Sequence, residues 1–89
     1  MKITIKHLSE EEIQEKGIKK WPIWEKEISV FPWNYEATES CLIIEGNVIV
    51  TPDNGKPVEI KAGDFVNFPK GMSCSWNIKK AIRKHYNFS

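Results

Sequence analysis

Apolar and polar residues alternate along most of the chain, which is the pattern of β-strands that bury one face. The alternation runs through ITIKHL, through WPIWEKEISVF, where Trp24, Ile28 and Val30 fall on one side, and through CLIIEGNVIVT and PVEI on either side of PDNG. The pair Asn54-Gly55 is the preferred centre of a type I′ turn, so the last two runs are predicted to form a hairpin. Three more runs follow in AGDFVNFPKG, SCSWNI and AIRKHYNF. The pattern predicts a meander of short antiparallel strands.

One segment near the start of the chain has a helical pattern instead. In SEEEIQEKG, Ser9 is a candidate N-cap, and Glu12 three residues later completes a capping box. Gly17 ends the segment, at the position where helices often finish in a left-handed residue. We therefore predict a single short helix near the N-terminus.

Length and aromatic content constrain the architecture. The chain has 89 residues without a repeat, a low-complexity tract or a linker, and we predict a single domain over residues 1–89. Many short strands on a small chain favour a barrel or jelly roll, because closing the sheet removes its exposed edges. Four Trp, four Phe and two Tyr are available to fill such a barrel or to line a cavity for one small ligand. The predicted class is an all-β barrel with one short N-terminal helix.

Charge and cysteine usage narrow the classes of partner. The net charge is +1, and Lys and Arg form no cluster beyond pairs, which argues against a nucleic-acid partner. No run approaches the ~20 apolar residues of a membrane span, and the N-terminal segment lacks the apolar core of a signal peptide. We therefore expect a cytoplasmic protein with no membrane partner, in which Cys41 and Cys74 are free thiols.

Two stretches within residues 33–74 have the spacing of a known family. WNYEATESCLIIEG places Glu39 seven positions before Gly46, and GDFVNFPKGMSC has a matching arrangement of glycines and proline ahead of Cys74. Together they resemble the two sequence motifs of the cupin superfamily. The chain is most similar to the small single-domain, RmlC-like cupins related to the cupin domain of ureidoglycine aminohydrolase. The resemblance covers roughly residues 20–88 and implies a cupin-type double-stranded β-helix, a jelly-roll barrel.

The resemblance also implies a divalent metal, held by two histidines and a glutamate from the first motif and a histidine from the second. In this chain those positions carry Trp33, Tyr35, Glu39 and Cys74. The imidazole ligands are therefore absent. An indole is not a usual metal ligand and a neutral phenol is a poor one, so we expect neither a bound metal nor another cofactor.

Alternate residues of a strand share one face, so Trp33, Tyr35, Glu39 and Cys41 are predicted to point together into the barrel. Cys74 and Trp76 are predicted to do so from a second strand. A buried carboxylate is costly unless it is hydrogen-bonded or paired, and Tyr35 or a nearby cation could provide a partner for Glu39. The same aromatic residues could instead fill a solid barrel, and the cysteines could simply pack in it. The predicted site has Glu39 and Cys74 as candidate catalytic residues and Trp33, Tyr35, Cys41 and Trp76 as candidate ligand-binding residues.

The final run, AIRKHYNF, has two faces of different character. Lys84, Tyr86 and Phe88 make up the more apolar face, and we expect them to point toward the core. The opposite face would then keep His85 away from the predicted site.

The leading functional hypothesis is a small-molecule-binding cupin that lacks the usual histidine ligands. In it Glu39 would hold a small polar metabolite and, if the protein is an enzyme, act as general acid or base. Two alternatives stay open: a thiolate-rich metal site built from Glu39, Cys41 and Cys74, and a non-enzymatic dimeric interaction module. A homodimer is expected because the core is small and strands such as EISVF leave edges to cover.

Overall fold

The structure, a computed structural model, describes residues 2–89. It contains one α-helix, α1 (Glu10–Lys16), a turn of 3-10 helix at Ile18–Lys20, and seven strands. The strands are β1 (Thr4–Lys6), β2 (Ile23–Lys26), β3 (Ser29–Asn34), β4 (Glu39–Pro52), β5 (Val58–Lys61), β6 (Phe65–Phe68) and β7 (Ser73–Phe88). Every strand pair is antiparallel. Neither helical segment is long and apolar enough to span a membrane.

Two long strands, β4 and β7, form the centre of the sheet and pair with each other along almost their whole length. Their register shifts between Ile43 and Val48, so bulges bend both strands near their midpoints. The bend brings the two backbones together. Gly46 has a φ of +106°, and a Cβ on this residue would overlap the carbonyl oxygen of Ala81. This close approach requires glycine at position 46.

The bend divides the sheet into two layers. One layer contains β1, β6, β4 residues 39–43, β7 residues 84–88 and β2. The other contains β5, β4 residues 47–52, β7 residues 74–80 and β3. The core lies between them and consists of Tyr35, Cys41, Ile43, Val48, Val50, Ile60, Val66, Phe68, Met72, Cys74, Trp76, Ile78 and Ile82. The predicted all-β class, a jelly roll with one short helix, is confirmed.

The helix forms where its capping pattern predicts it. Ser9 Oγ accepts a hydrogen bond from the backbone N–H of Glu12, and Glu12 Oε1 accepts one from the backbone N–H of Ser9. These hydrogen bonds lower the pKa of the Glu12 carboxyl. Gly17 ends the helix with a φ of +66°. The two capping hydrogen bonds and the terminal glycine depend on residues close together in sequence, which is why the sequence pattern was sufficient to locate the helix.

The prediction of one strand face in WPIWEKEISVF is wrong. The segment breaks at Glu27 and Ile28 into β2 and β3, and its pairing with β7 changes register by one residue across the break. Such a shift reverses which side chains face inward. Trp24 packs against the core from β2, but Ile28 and Val30 are 67% and 69% exposed. Phe31 takes the inward position on β3 instead.

The structure also differs from the sequence prediction in one turn and in the number of C-terminal strands. The β4–β5 hairpin forms, but its turn is centred on Asp53 and Asn54, because the N–H of Gly55 donates to the carbonyl of Pro52 at 2.9 Å. Asn54, with a φ of +61°, holds the second central position, as in a type II turn. The runs SCSWNI and AIRKHYNF were predicted as two strands and form a single one, β7, because the bulge bends the chain without ending the pairing.

Candidate ligand-binding site

A cavity of about 140 Å³ opens between the two layers beside the first residue of β4. Its walls are mostly aromatic, and two charged groups lie at its base. Trp33 and Phe88 are 44% and 52% exposed, so they form a rim at the protein surface. The lining consists of Trp24, Phe31, Trp33, Trp76, Tyr86 and Phe88, together with Glu39 and Lys84.

Glu39 and Lys84 form an ion pair at the base of the cavity, with Lys84 Nζ 2.5 Å from Glu39 Oε2. Both side chains are buried, at 4% and 6% exposure. Glu39 begins β4 opposite Phe88 of β7, and Lys84 lies farther back on β7 opposite Ile43. The alternation along two paired strands directs both side chains to the inner face, where they meet.

The ammonium group of Lys84 also lies over aromatic rings. Its Nζ is 4.9 Å from the ring centroids of Trp24 and Trp76 and 5.9 Å from that of Phe68. The face of an aromatic ring attracts a cation, most strongly where water is excluded. The rings and the carboxylate together offset part of the cost of removing the Lys84 charge from water.

Tyr35 and Trp76 place polar atoms in the core next to this site. The hydroxyl of Tyr35 and the indole N–H of Trp76 are buried without a hydrogen-bond partner in residues 2–89. Burial raises the pKa of Tyr35 far above its ordinary value, and the nearby charge of Glu39 adds to the effect. The ring of Tyr35 stacks on Phe68 at 4.7 Å. Tyr35 is therefore a neutral packing residue at physiological pH.

The two cysteines are both free and buried, as expected. Burial raises the pKa of the Cys41 thiol to about 12, with Lys84 lowering it and Glu39 raising it by smaller amounts. Burial also raises the pKa of Cys74 to about 11. Both side chains are thus neutral thiols near pH 7, the less nucleophilic form. Neither residue lines the cavity.

The structure brings together three of the six residues that the sequence analysis assigned to the site. Glu39, Trp33 and Trp76 line the cavity, whereas Tyr35, Cys41 and Cys74 pack in the core beside it. Sequence reasoning missed Lys84 as a site residue. The sequence contained enough information to predict this role. The alternation in AIRKHYNF places Lys84 on the inner face, and a buried carboxylate at Glu39 requires a partner such as a cation. Also missed were the aromatic residues Trp24, Phe31, Tyr86 and Phe88.

The residues present do not fit the metal centre that the cupin resemblance implies. Trp33 lies at the rim, and the Tyr35 side chain is buried and neutral. Within residues 2–89, no three His, Cys, Asp or Glu side chains converge so that they could hold a metal ion. The thiolate-rich alternative is therefore not assembled either. Glu39 instead has the Lys84 ammonium group as its cation.

Comparison with known proteins identifies the family. A family model described as the EutQ-like cupin domain matches residues 13–86. The chain belongs to this cupin family. A crystal structure of a DUF861 family protein from Thermotoga maritima is 45% identical, covers 99% of this chain and 100% of that chain, and superposes with a TM-score of 0.97. No curated protein matches the chain.

Two other cupin structures are more distant. A DUF861 family protein of unknown function from Pseudomonas syringae is 25% identical over 75% of this chain and 29% of its own length, with a TM-score of 0.68. The EutQ protein of Clostridium difficile is 20% identical over 97% of this chain and 66% of its own length, with a TM-score of 0.67. The EutQ similarity shows the fold alone. The predicted cupin fold is confirmed, whereas the closer relation to ureidoglycine aminohydrolase stays a prediction.

Proposed function

We propose that this cupin binds a small molecule without a metal ion, in the cavity above the Glu39–Lys84 ion pair. The observation that carries the proposal is the position of that pair, which is buried and yet lines a cavity with an exposed rim. A buried ion pair adds little net stability, and a well-packed apolar pair is often neutral or more stable by about 1–4 kcal/mol. Ligand binding therefore accounts for this ion pair better than folding does.

The size of the cavity limits the ligand. Its volume of about 140 Å³ is similar to the ~150 Å³ of an engineered protein cavity that holds benzene. Drug-sized ligands occupy roughly 300 Å³ or more. The ligand is accordingly a single small ring or a short chain.

The lining defines how such a ligand is held. Trp33 and Trp76 offer ring faces and edges to an apolar or planar body, in the way aromatic residues do in small-molecule pockets. Glu39 accepts a hydrogen bond from a ligand N–H or O–H, and Lys84 donates one to a carbonyl or carboxylate oxygen. If the protein is an enzyme, Glu39 is the group placed to transfer a proton.

A dimeric interaction module is the second candidate, and one observation favours it. Ile28, just before β3, and Val30, on β3, are both exposed, and among the described residues β3 pairs only with β7. An exposed apolar edge strand is a natural site for pairing with another chain. We propose that a second copy of the chain adds along this edge to form a homodimer, an arrangement compatible with ligand binding in the cavity.

The ligand proposal is tested by NMR of the indole N–H groups. Phenol, benzamide, δ-valerolactam and imidazole serve as probes of the right size, each added at millimolar concentration. We expect at least one probe to shift the signals of Trp24, Trp33 and Trp76. Trp21 does not line the cavity and provides an internal control.

A control variant separates the cavity from general surface effects. Lys80 is an exposed lysine on the same strand as Lys84. Lys80→Met should leave the probe-induced shifts unchanged, whereas Lys84→Met should alter them. Shifts of equal size at Trp21 and at the cavity tryptophans, or no shift with any probe, would contradict the proposed function.

A further inference from the structure

Lys84 is a primary amine in an unusual place. Its Nζ lies at the base of a cavity, touches the carboxylate of Glu39 at 2.5 Å, and faces the indole rings of Trp24 and Trp76. Most lysines keep their amine in water, where it is hydrated and mobile. Here the amine is held in one position, against a group that can take its proton.

We propose that Lys84 forms an imine with small carbonyl compounds, so that aldehydes of a few carbon atoms are the ligand class of this cavity. The inference rests on the proposed function, since it needs the cavity to admit a ligand. It adds a covalent step and assigns a nucleophile. Lysines that form imines are typically removed from water in an apolar pocket, and Lys84 is buried among aromatic rings.

The reaction balances with the groups present. A proton passes from Lys84 Nζ to Glu39 Oε2, and the freed nitrogen lone pair attacks the carbonyl carbon, so that a C–N bond forms and the π electrons move to oxygen. A proton then moves from this nitrogen to that oxygen and gives a carbinolamine. Glu39 protonates the hydroxyl, the C–O bond breaks as the nitrogen lone pair forms C=N, and water leaves. The ammonium group and the aldehyde have become an iminium ion and water, and Glu39 is again a carboxylate.

The charged groups of the site stabilise both the starting ammonium group and the iminium ion that forms from it. The iminium nitrogen carries the same positive charge as the ammonium group, at the same place. It therefore keeps the carboxylate of Glu39 as counter-ion and the rings of Trp24 and Trp76 as cation–π partners. The apolar walls also disfavour the return of bulk water, which would hydrolyse the product.

The size of the cavity selects the carbonyl compound. A volume of about 140 Å³ admits short aliphatic aldehydes or a single small ring. Sugars and long-chain aldehydes are too large. Lys79 and Lys80, which lie exposed on the same strand, have no such enclosure and serve as matched comparisons within the protein.

Reductive trapping of the native protein tests the inference. The protein is treated briefly with a limiting amount of propionaldehyde and with sodium cyanoborohydride, which reduces an iminium ion to a stable propyl amine. Peptide mapping by mass spectrometry then locates the propyl group. We expect Lys84 to be modified at least tenfold faster than Lys79 or Lys80, despite its burial. Slower modification of Lys84 than of these exposed lysines would overturn the inference.

Two further measurements complete the test. Glu39→Gln keeps the amine but removes the proton acceptor, and should slow modification of Lys84 at least tenfold while Lys80 is unaffected. If this variant does not fold, the ratio in the native protein alone decides. Propanol, which has no carbonyl, reports on the cavity by tryptophan NMR. Tryptophan shifts without trapping at Lys84 would refute the imine and leave the proposed function intact, whereas neither shifts nor trapping would refute both.

Discussion

Two buried carboxylates, Glu39 and Asp64, lie in contrasting regions of the molecule. Each residue is 3% exposed. Asp64 Oδ1 accepts a hydrogen bond from His7 Nε2 at 2.7 Å, and its Oδ2 accepts one from the backbone N–H of Lys61 at 2.9 Å. The bond to Lys61 closes the turn between β5 and β6, and the bond to His7 ties this turn to the N-terminal segment. Glu39 pairs instead with a buried lysine, Lys84, and faces a cavity.

The difference shows how a structural carboxylate can be told from a candidate functional one. The partner of Asp64 is an exposed side chain, so only one charge is taken out of water. At Glu39 both partners are buried, and the cost of desolvation is correspondingly higher. Burial alone therefore does not mark a functional carboxylate. A costly ion pair that adjoins a cavity is the more specific sign.

The largest effect is expected when the Glu39 charge alone is removed. Glu39→Gln should reduce the free energy of unfolding by about 3–5 kcal/mol, because it leaves the Lys84 ammonium group buried without a counter-ion. Chemical denaturation at neutral pH measures this value. A loss below about 1 kcal/mol would show that the pair is not desolvated in solution, and the contrast with Asp64 would disappear.

The matching change at the structural carboxylate should be milder. Asp64→Asn retains one oxygen acceptor for the Lys61 N–H and an amide that can still face His7. We expect a loss of about 1–2 kcal/mol, because a hydrogen bond to a charged group contributes about 1.5–3 kcal/mol and the amide replaces only part of it. The same denaturation experiment compares the two variants directly. An Asp64→Asn loss equal to that of Glu39→Gln would break the distinction between the two regions.

The regions around the two carboxylates also differ in how much apolar surface they expose, and this difference is tested by measuring the oligomeric state. The Asp64 region is covered by the chain's own N-terminal segment, whereas exposed apolar side chains lie along β3 near the cavity. If β3 is the edge of a homodimer, Val30→Lys should weaken dimerisation roughly tenfold, or about 1.4 kcal/mol, by placing a charge on that edge. Sedimentation equilibrium at micromolar concentrations measures the change. A single 10.3 kDa species for the unmodified protein would exclude the dimer.

Replacing both members of the ion pair should change stability little. In the double variant Glu39→Leu with Lys84→Met no buried charge is left without a partner, so the free energy of unfolding should stay within about 1 kcal/mol of the original or rise. Probe binding in the tryptophan NMR experiment should be lost at the same time. A double variant as unstable as Glu39→Gln would assign the pair a structural role like that of Asp64.

The smallest effect is expected from metal chelation. Lys84 already provides a cation for Glu39, and the imidazole positions of the cupin metal site carry other residues. Chelators should leave the unfolding midpoint unchanged, and elemental analysis of protein purified without chelator should find far less than one zinc, iron, manganese or copper ion per chain. About one such ion per chain would contradict this prediction and indicate that the carboxylate of Glu39 binds a metal ion.

The parts of the fold that depend on neighbouring residues could be predicted from the sequence. The capping box at Ser9 and Glu12 is complete within one turn of helix, and the alternation in AIRKHYNF correctly placed Lys84 inward. The prediction that a single strand face continues through WPIWEKEISVF was wrong. A one-residue register change between β2 and β3 turned Ile28 and Val30 outward, and nothing in the local alternation reveals such a change.

The candidate site was only half predictable for a related reason. Glu39 and Lys84 are 45 positions apart in sequence, so their contact depends on the pairing of β4 with β7. Lysine is also a residue that is seldom buried, which directs attention away from it. The cavity itself depends on how Trp24 and Phe31 pack across two strands, and single-sequence patterns do not contain that information.

The continuous path of β4 and β7 through both layers has a consequence for how the protein folds. The two layers share β4 and β7, because one end of each strand lies in one layer and the other end lies in the other. Neither layer can therefore be completed while the other is missing. β7 pairs with β2, β3 and β4, all of which precede it in sequence, so most of the native pairing depends on contacts between distant segments. Folding should proceed as one cooperative transition, at the slow rates typical of small β-proteins with many contacts between distant residues.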